Sequence, residues 1–229
     1  MIDIHTHVLP QVDDGSDSVE TSLNMLRFIQ ENGVTDVILT PHYRGRYNKT
    51  AKELASLFKD FKKQVLDAGI NVKLHLGQEI YYTEDLIGVL ESNEVLTLND
   101  TKYVLLEFPY NESVDIEEIV YDVVASGFIP VIAHVERYGY VSIDDVVAIK
   151  SLGALIQVNG TAVLGNAPKY AVKRTKKLLK AKLVDFVASD AHKSRLPNLK
   201  DAYDKIKKKY GEDYANVLFT ENAKKILSK

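Results

Sequence analysis

His5, His7, His42, His134 and His192, together with Glu79, Glu107 and Asp190, are the residues of this chain best suited by type and spacing to do chemistry. Each closes or follows a short apolar run. His5 and His7 end the run at 2–4, His42 follows 35–39 in Leu-Thr-Pro-His, and Glu79 follows 72–76. Glu107 ends 103–106, His134 ends 130–133, and Asp190 and His192 come after 185–188. If each run is a strand, all eight side chains gather at strand carboxyl ends, the face that carries the chemistry of an α/β barrel. His5 and His7 are two residues apart, as are Asp190 and His192. On extended backbone both members of such a pair point the same way, with Cα atoms roughly 6.7 Å apart, a separation that one metal ion bridges. A lone histidine or a strand-ending glutamate is ordinarily structural or solvated. The shared face is what argues for metal here. Eight converging ligands exceed what one tetrahedral ion takes, so two to three divalent metals are expected. Imidazole and carboxylate donors without thiolate suit manganese, iron or zinc. His75 lies inside its run and reads as structural.

The chain has no cysteine. Disulfides, zinc–thiolate sites and a thiolate nucleophile are therefore excluded, and cleavage of a phosphate ester would have to use activated water. A net charge of −3 offers no general attraction to a polyanion, so no nucleic-acid partner is expected. Apolar stretches such as 104–106 and 128–133 are far too short to cross a bilayer, and no membrane insertion is expected. The opening Met-Ile-Asp-Ile-His-Thr-His lacks the basic start and apolar run of a signal peptide, which makes the cytoplasm the expected location.

The elements that must position these residues alternate. Strands are expected at 2–4, 35–39, 72–76, 103–106, 130–133, 155–158 and 185–188. Helices are expected at 17–32, 50–68, 115–126, 142–152, 168–181, 198–210 and 221–227. The first carries Leu23, Met25, Leu26 and Ile29 and stops at Gly33; the second places Leu54, Leu57, Phe58, Phe61 and Val65 at helical spacing before Gly69. Seven βα units without repeats or linkers predict a single α/β domain over 1–229, a closed or nearly closed parallel barrel, with a doubly wound sheet as the alternative. Arg44 and Arg46 read as a solvated loop that could also touch substrate, and the lysines of 169–182 as a solvated helix face that could also meet an acidic partner. Tyr81 and Tyr82 either line the pocket or pack.

The order of these motifs resembles the PHP superfamily: His-x-His, Thr-Pro-His, Gly-Gln-Glu, Leu-Glu-Phe-Pro, Ala-His-x-Glu-Arg and Ser-Asp-Ala-His. More closely, the chain is similar to the manganese-dependent protein tyrosine phosphatases of bacterial capsule and exopolysaccharide loci. The carriers are His-x-His-x-Leu-Pro-x-x-Asp-Asp-Gly at 5–15, Leu-Asn-Asp-Thr-Lys-Tyr at 98–103, Gly-Phe-Ile-Pro-Val-Ile-Ala-His at 127–134, Val-Ala-Ser-Asp-Ala-His at 187–192 and Thr-Glu-Asn-Ala at 220–223. The resemblance runs over essentially the whole chain.

It implies a distorted (β/α)7 barrel holding three metals, manganese foremost. His5, His7, Glu79 and Asp190 would hold one; Glu79, Glu107 and His134 a second; His42 and His192 a third, with Asp13 or Asp14. Metal-activated water would attack phosphorus while a guanidinium neutralises the equatorial oxygens. Arg137 and Arg195, each three residues after a histidine ligand, are the candidates for that clamp. Asp14 is the candidate general acid. The implied substrate is phosphotyrosine on a bacterial autophosphorylating tyrosine kinase. Competing readings are a histidinol-phosphate-type phosphatase, a nuclease, or a metal-stabilised regulatory binder.

Overall fold

The computed structural model describes residues 1–196 and 198–228. Short runs rich in Val, Ile and Leu form β1 (Ile2–Thr6), β2 (Asp36–Leu39), β3 (His42–Tyr43), β4 (Lys73–Leu76), β5 (Glu79–Tyr81), β6 (Tyr103–Glu107), β7 (Ile129–Ile132), β8 (Leu155–Asn159) and β9 (Phe186–Ala188). Every pairing between them is parallel, in the orders β1-β2-β4 and β3-β5-β6-β7-β8-β9. Two expected strands each run on, after a break, into a short strand that was not expected. Thr40 and Pro41 separate β2 from β3, and Gly77 and Gln78 separate β4 from β5. A Cβ on Gly77 would fall 2.9 Å from Leu98 Cδ2 and 3.2 Å from Leu98 Cα, so the chain passes this point only without a side chain.

The curled sheet meets itself at one seam. The His7 N–H donates to the Ala191 carbonyl and the Asp190 N–H to the His5 carbonyl, both at 2.9 Å, about a Thr6–Ala191 bridge. Counting each broken strand once, seven strands follow one another round the barrel in chain order. A doubly wound sheet would reverse that order at its middle, so the barrel expectation holds.

The helices lie outside: α1 (Val19–Glu31), α2 (Ala51–Asp67), α3 (Leu86–Glu91), α4 (Ile116–Ala125), α5 (Ile143–Ser151), α6 (Gly160–Leu164), α7 (Lys169–Lys180), α8 (Leu199–Tyr210), α9 (Glu212–Asn216) and, after a π-helical turn at Val217–Glu221, α10 (Asn222–Leu227). Several expected starts come a residue or two early because those residues are caps. Ser18, Thr50, Ser142 and Asn198 each accept an N–H from the first turn, a contact worth about 1 kcal/mol. The short helices α3, α6 and α9 were not expected.

Alternate strand residues feed two cores. Val37, Leu39, Val104, Leu106, Ile132 and Val187 pack outward against the helices. Ile2, Ile4, Ile38, Leu105, Val131, Phe186 and Ala188 fill the interior with Ala223 and Ile226 of α10, which crosses the amino-terminal end. Continuing that inward face by two residues leads from Leu105 to Glu107 and from Ala188 to Asp190. In β1 strict alternation would turn His5 outward, and a register shift between Asp3 and Thr6 carries it into the mouth instead. Among the described residues no helix is long and apolar enough to cross a membrane.

Candidate metal centre

All eight expected metal ligands meet at the carboxyl-terminal mouth. Their donor atoms fall into four groups, each within 4.8 Å: His5–His7–Asp190, His5–Glu79–His134, His42–Glu79–Glu107 and His7–His42–His192. Seven of the eight are buried, and His42 is nearly so. Glu79 stands at the centre, 3.3 Å from both His5 Nε2 and His7 Nε2 and 2.9 Å from both His42 Nδ1 and His134 Nε2. The grouping differs from the expected one in two respects. Glu107 shares its group with His42, while His134 shares with His5; and it is His7 that completes the group of His42 and His192.

The donor set fits divalent cations. His42 Nδ1 and Glu79 Oε2 are buried and hydrogen-bonded to nothing although 2.9 Å apart, and His5 Nε2 faces His7 Nε2 at 3.1 Å. Burial alone would raise the Glu79 pKa, but the imidazoles of His5 and His42 outweigh it and hold the carboxyl well below its usual range. Asp190 is lowered in the same way, burial being overcome by His5, Arg137 and Arg195. Burial brings His134 down to about 4, helped by Arg137, and His192 down to about 4, helped by His7; both are neutral imidazoles with a lone pair to give. On His5 and His7 burial acts downward too, but the facing carboxylates outweigh it and raise both. The negative field that holds a proton on those two rings would equally hold a cation, which displaces the proton on binding.

The Asp13-Asp14-Gly15 turn follows β1 onto this face. Asp13 lies behind His7: its Oδ2 is 2.7 Å from His7 Nδ1 and accepts the His42 N–H at 3.0 Å, and its Oδ1 accepts the Gly15 N–H at 2.9 Å. Burial would raise Asp13, but His7 holds it at about 2. Asp13 therefore orients His7 from behind, as carboxylates commonly do for metal-binding histidines. Asp14 points the other way, its side chain 56 % exposed, with Oδ1 3.5 Å from both His42 Nε2 and His192 Nε2.

Arg137 and Arg195 converge on one oxygen, Asp190 Oδ2, with Nη2 at 2.5 and 2.8 Å. A tight turn in which His192 and Arg195 exchange both backbone bonds at 2.9 Å brings Arg195 back over the ligand. Arg44, expected to be solvated, reaches instead to within 3.4 Å of Glu107 Oε2 and lies 4.3 Å above the Tyr81 ring, which thereby borders the mouth. Arg46 stays outside, on Tyr47. Tyr82 packs against Phe108, and His75 bonds Asn99 and Asp36 in β4, as a structural residue would.

Several functional residues went unexpected. Tyr110 donates to Glu107 Oε1 at 2.5 Å and accepts from Arg137 at 3.3 Å. Tyr138 accepts the Phe108 N–H at 3.0 Å and lies 3.3 Å from His134 Nδ1. Gln157 and Asn159, fully buried in β8, link three ligands. Gln157 Oε1 accepts the His134 N–H at 2.8 Å and lies 3.2 Å from His5 Nδ1; its Nε2 donates to Asn159 at 2.7 Å, and Asn159 Nδ2 donates to Asp190 at 2.7 Å. Their two-residue spacing at a strand end, the same as that of His5 and His7, was the available signal. His134 and Asp190 both hold left-handed backbone, at φ 33° and 50°, a strain of roughly 1–3 kcal/mol each that functional sites characteristically store.

Comparison with known proteins agrees with this geometry. Residues 1–228 match the family described as capsular polysaccharide synthesis, CpsB/CapC. The chain is 36% identical to the tyrosine-protein phosphatase CpsB of Streptococcus pneumoniae, over 99% of this chain and 98% of that one. It is 33% identical to the tyrosine-protein phosphatase YwqE of Bacillus subtilis, over 99% and 91%. A crystal structure from work on YwqE and CpsB, described there as metal-dependent tyrosine phosphatases, superposes with a TM-score of 0.93 at 33% identity, covering 99% of this chain and 94% of the other. The chain belongs to the CpsB/CapC family.

Proposed function

We propose that this chain is a metal-dependent protein tyrosine phosphatase that hydrolyses phosphotyrosine using two to three divalent cations, manganese foremost. The observation that carries the reading is the buried ring of eight imidazole and carboxylate donors with two guanidiniums at its rim; the relatives' names support the substrate. His5, His7 and Asp190 would hold one ion; Glu79 and His134 a second, with Glu107, whose Oε1 is 4.0 Å from His134 Nε2; and His7, His42 and His192 a third. When bound, such cations lower the pKa of water toward about 7 and neutralise phosphoryl charge.

The chain's own residues do the rest. Each guanidinium has five N–H donors, and those of Arg137 and Arg195 not engaged by Asp190, Tyr110 and His192 would bind equatorial phosphoryl oxygens, in a geometry that lysine does not reproduce. Tyr110, 37 % exposed beside Arg137 and His134, offers a flat wall to the phenol ring of the substrate. The leaving phenolate has a pKa near 10, and Asp14 is placed to protonate it or to join the third ion. We further propose that the substrate is a phosphotyrosine-bearing bacterial tyrosine kinase of the capsule or exopolysaccharide system, met in the cytoplasm.

The test compares turnover of a phosphotyrosyl peptide, a phosphoseryl peptide, histidinol phosphate and single-stranded DNA by protein loaded with manganese. Chelator-sensitive preference for phosphotyrosine is expected, and its absence would sink the proposal. A His7→Ala variant of full activity would sink the metal assignment.

A further inference from the structure

The helix α7 is the most cationic element of the chain. It carries Lys169, Lys173, Arg174, Lys176, Lys177 and Lys180 without an acidic residue, in a protein of net charge −3. Its amino-terminal half forms one wall of a cavity of about 370 Å³, to which Tyr170, Lys173, Arg174 and Lys177 contribute with Gly139 and Ser142. Two features set this cavity apart from an ordinary solvated helix face. Nε and Nη2 of Arg174 are buried and have no hydrogen-bond partner. The acids whose fields reach Arg174 are Asp145 and Glu136; Asp145 accepts the Ser142 N–H at 2.7 Å, Glu136 accepts the Asn159 N–H at 3.0 Å through Oε1 and leaves Oε2 unpartnered, and no carboxylate among the described residues lies within ion-pair distance of Arg174. Arg174 is half-buried, and the buried edge of its guanidinium is left without a partner, which costs stability and leaves its charge uncompensated. The cavity also adjoins the catalytic mouth. Gly139 is two residues beyond Arg137, and α7 packs on the Val135–Arg137 turn that presents that arginine.

We propose that this cavity docks a carboxylate-bearing segment of the protein substrate next to the phosphotyrosine in its chain. The inference rests on reading the mouth as a phosphotyrosine site and assigns it a preference for acidic flanking sequence. Lys173 and Lys177 supply attraction that works before contact is made and is screened by salt. Arg174 adds a guanidinium to the same positive wall, and Tyr170, 57 % exposed, an aromatic surface for the peptide backbone. Nothing in the cavity takes part in the chemistry, so its occupation acts on KM and leaves kcat alone.

The experiment uses the full chain loaded with manganese and three substrates: a phosphotyrosyl peptide flanked by glutamates, the same peptide flanked by glutamines, and 4-nitrophenyl phosphate. Wild-type protein at low salt is expected to favour the acidic peptide by about tenfold in kcat/KM, through KM, with the preference shrinking at 0.5 M salt. In Lys173→Glu/Lys177→Glu the preference disappears or reverses while 4-nitrophenyl phosphate turnover stays within twofold. The milder Lys173→Gln/Lys177→Gln pair gives an intermediate loss and guards against misfolding. No preference in wild type, or a preference that survives charge reversal, overturns the proposal. If wild type fails to hydrolyse 4-nitrophenyl phosphate, the phosphatase reading has failed instead. Fluorescence anisotropy of the unphosphorylated acidic peptide then decides the cavity alone: binding lost on charge reversal upholds it, and no binding overturns it.

Discussion

Gln157→Leu is the sharpest probe of how the metal centre is built. The main-chain N–H of His134 can only donate, so the Gln157 atom 2.8 Å from it is the amide oxygen. That settles the amide's orientation. The same oxygen lies 3.2 Å from His5 Nδ1, so Nδ1 keeps a proton and His5 Nε2, facing Glu79 and His7, is the nitrogen that gives its lone pair to a cation. At its other end the amide donates to Asn159, which in turn donates to Asp190. Leucine fills similar volume but removes every one of these bonds, leaving the His134 N–H, the His5 Nδ1–H and the Asn159 carbonyl oxygen buried and unpaired. At roughly 1 kcal/mol or more for each such group, the variant should lose on the order of 3 kcal/mol of stability. The loss of orientation should weaken metal binding by about 10- to 100-fold, the usual cost of removing a residue that positions a metal ligand. Gln157→Glu keeps the acceptor for His5 and His134, loses the donor to Asn159 and adds a negative charge beside His5 that favours a cation, so it should recover most of the affinity. The assay is calorimetric titration of metal-stripped protein with manganese, read beside thermal unfolding of the same samples. Unchanged manganese affinity in Gln157→Leu, with the expected drop in melting temperature, would refute the idea that the amide sets the His5 tautomer.

Gly15→Ala should cost roughly 100-fold in kcat/KM, since the new Cβ would fall 2.1 Å from the His7 carbonyl oxygen and 2.2 Å from His7 Cβ, and displacing the turn moves both Asp13 and Asp14; wild-type turnover would contradict this. Asp14→Asn should slow phenyl phosphate by about 100-fold and 4-nitrophenyl phosphate far less, as expected when a proton donor serves the poorer leaving group. Equal slowing of both esters, with one metal equivalent lost, would make Asp14 a ligand instead. Tyr140→Phe should stabilise the protein by about 1 kcal/mol, because the Tyr140 hydroxyl is buried without a hydrogen-bond partner. Burial raises the Tyr140 phenol to about 12, above its ordinary value near 10. The fold therefore prefers the protonated form, and this contribution is intact below pH 10 and lost as pH rises from about 10 through 12. The variant should flatten that alkaline limb in pH-dependent melting, and a lower melting temperature at pH 7 would count against the account.

The eight donors were legible because parallel strands impose a simple rule. Side chains recur with a period of two, strand carboxyl ends share one face, and a histidine or carboxylate there stands out against an apolar run. Residues made conspicuous by charge at strand ends could thus be placed by counting. Gln157 and Asn159 escaped the same count because uncharged amides at a strand end resemble ordinary interior polar groups, and only their partners on β1, β7 and β9 reveal the relay. Arg44 escaped because its position depends on Tyr81 and Glu107, neither adjacent to it in sequence. The grouping of donors came only from the family resemblance, which joined His5 and His7 to Asp190 but not His7 to His42 and His192, and the strands alone could not supply it for a more general reason. His7 and His192 are 185 residues apart, yet their ring centroids are 4.2 Å apart, and only the seam joining the first strand to the last makes them neighbours. Barrel closure is a property of the accumulated twist and stagger of all the strands, with no local signature in any of them. A strand-by-strand reading therefore finds which side chains reach the mouth, but which of them face one another across the seam is fixed only once the sheet has met itself.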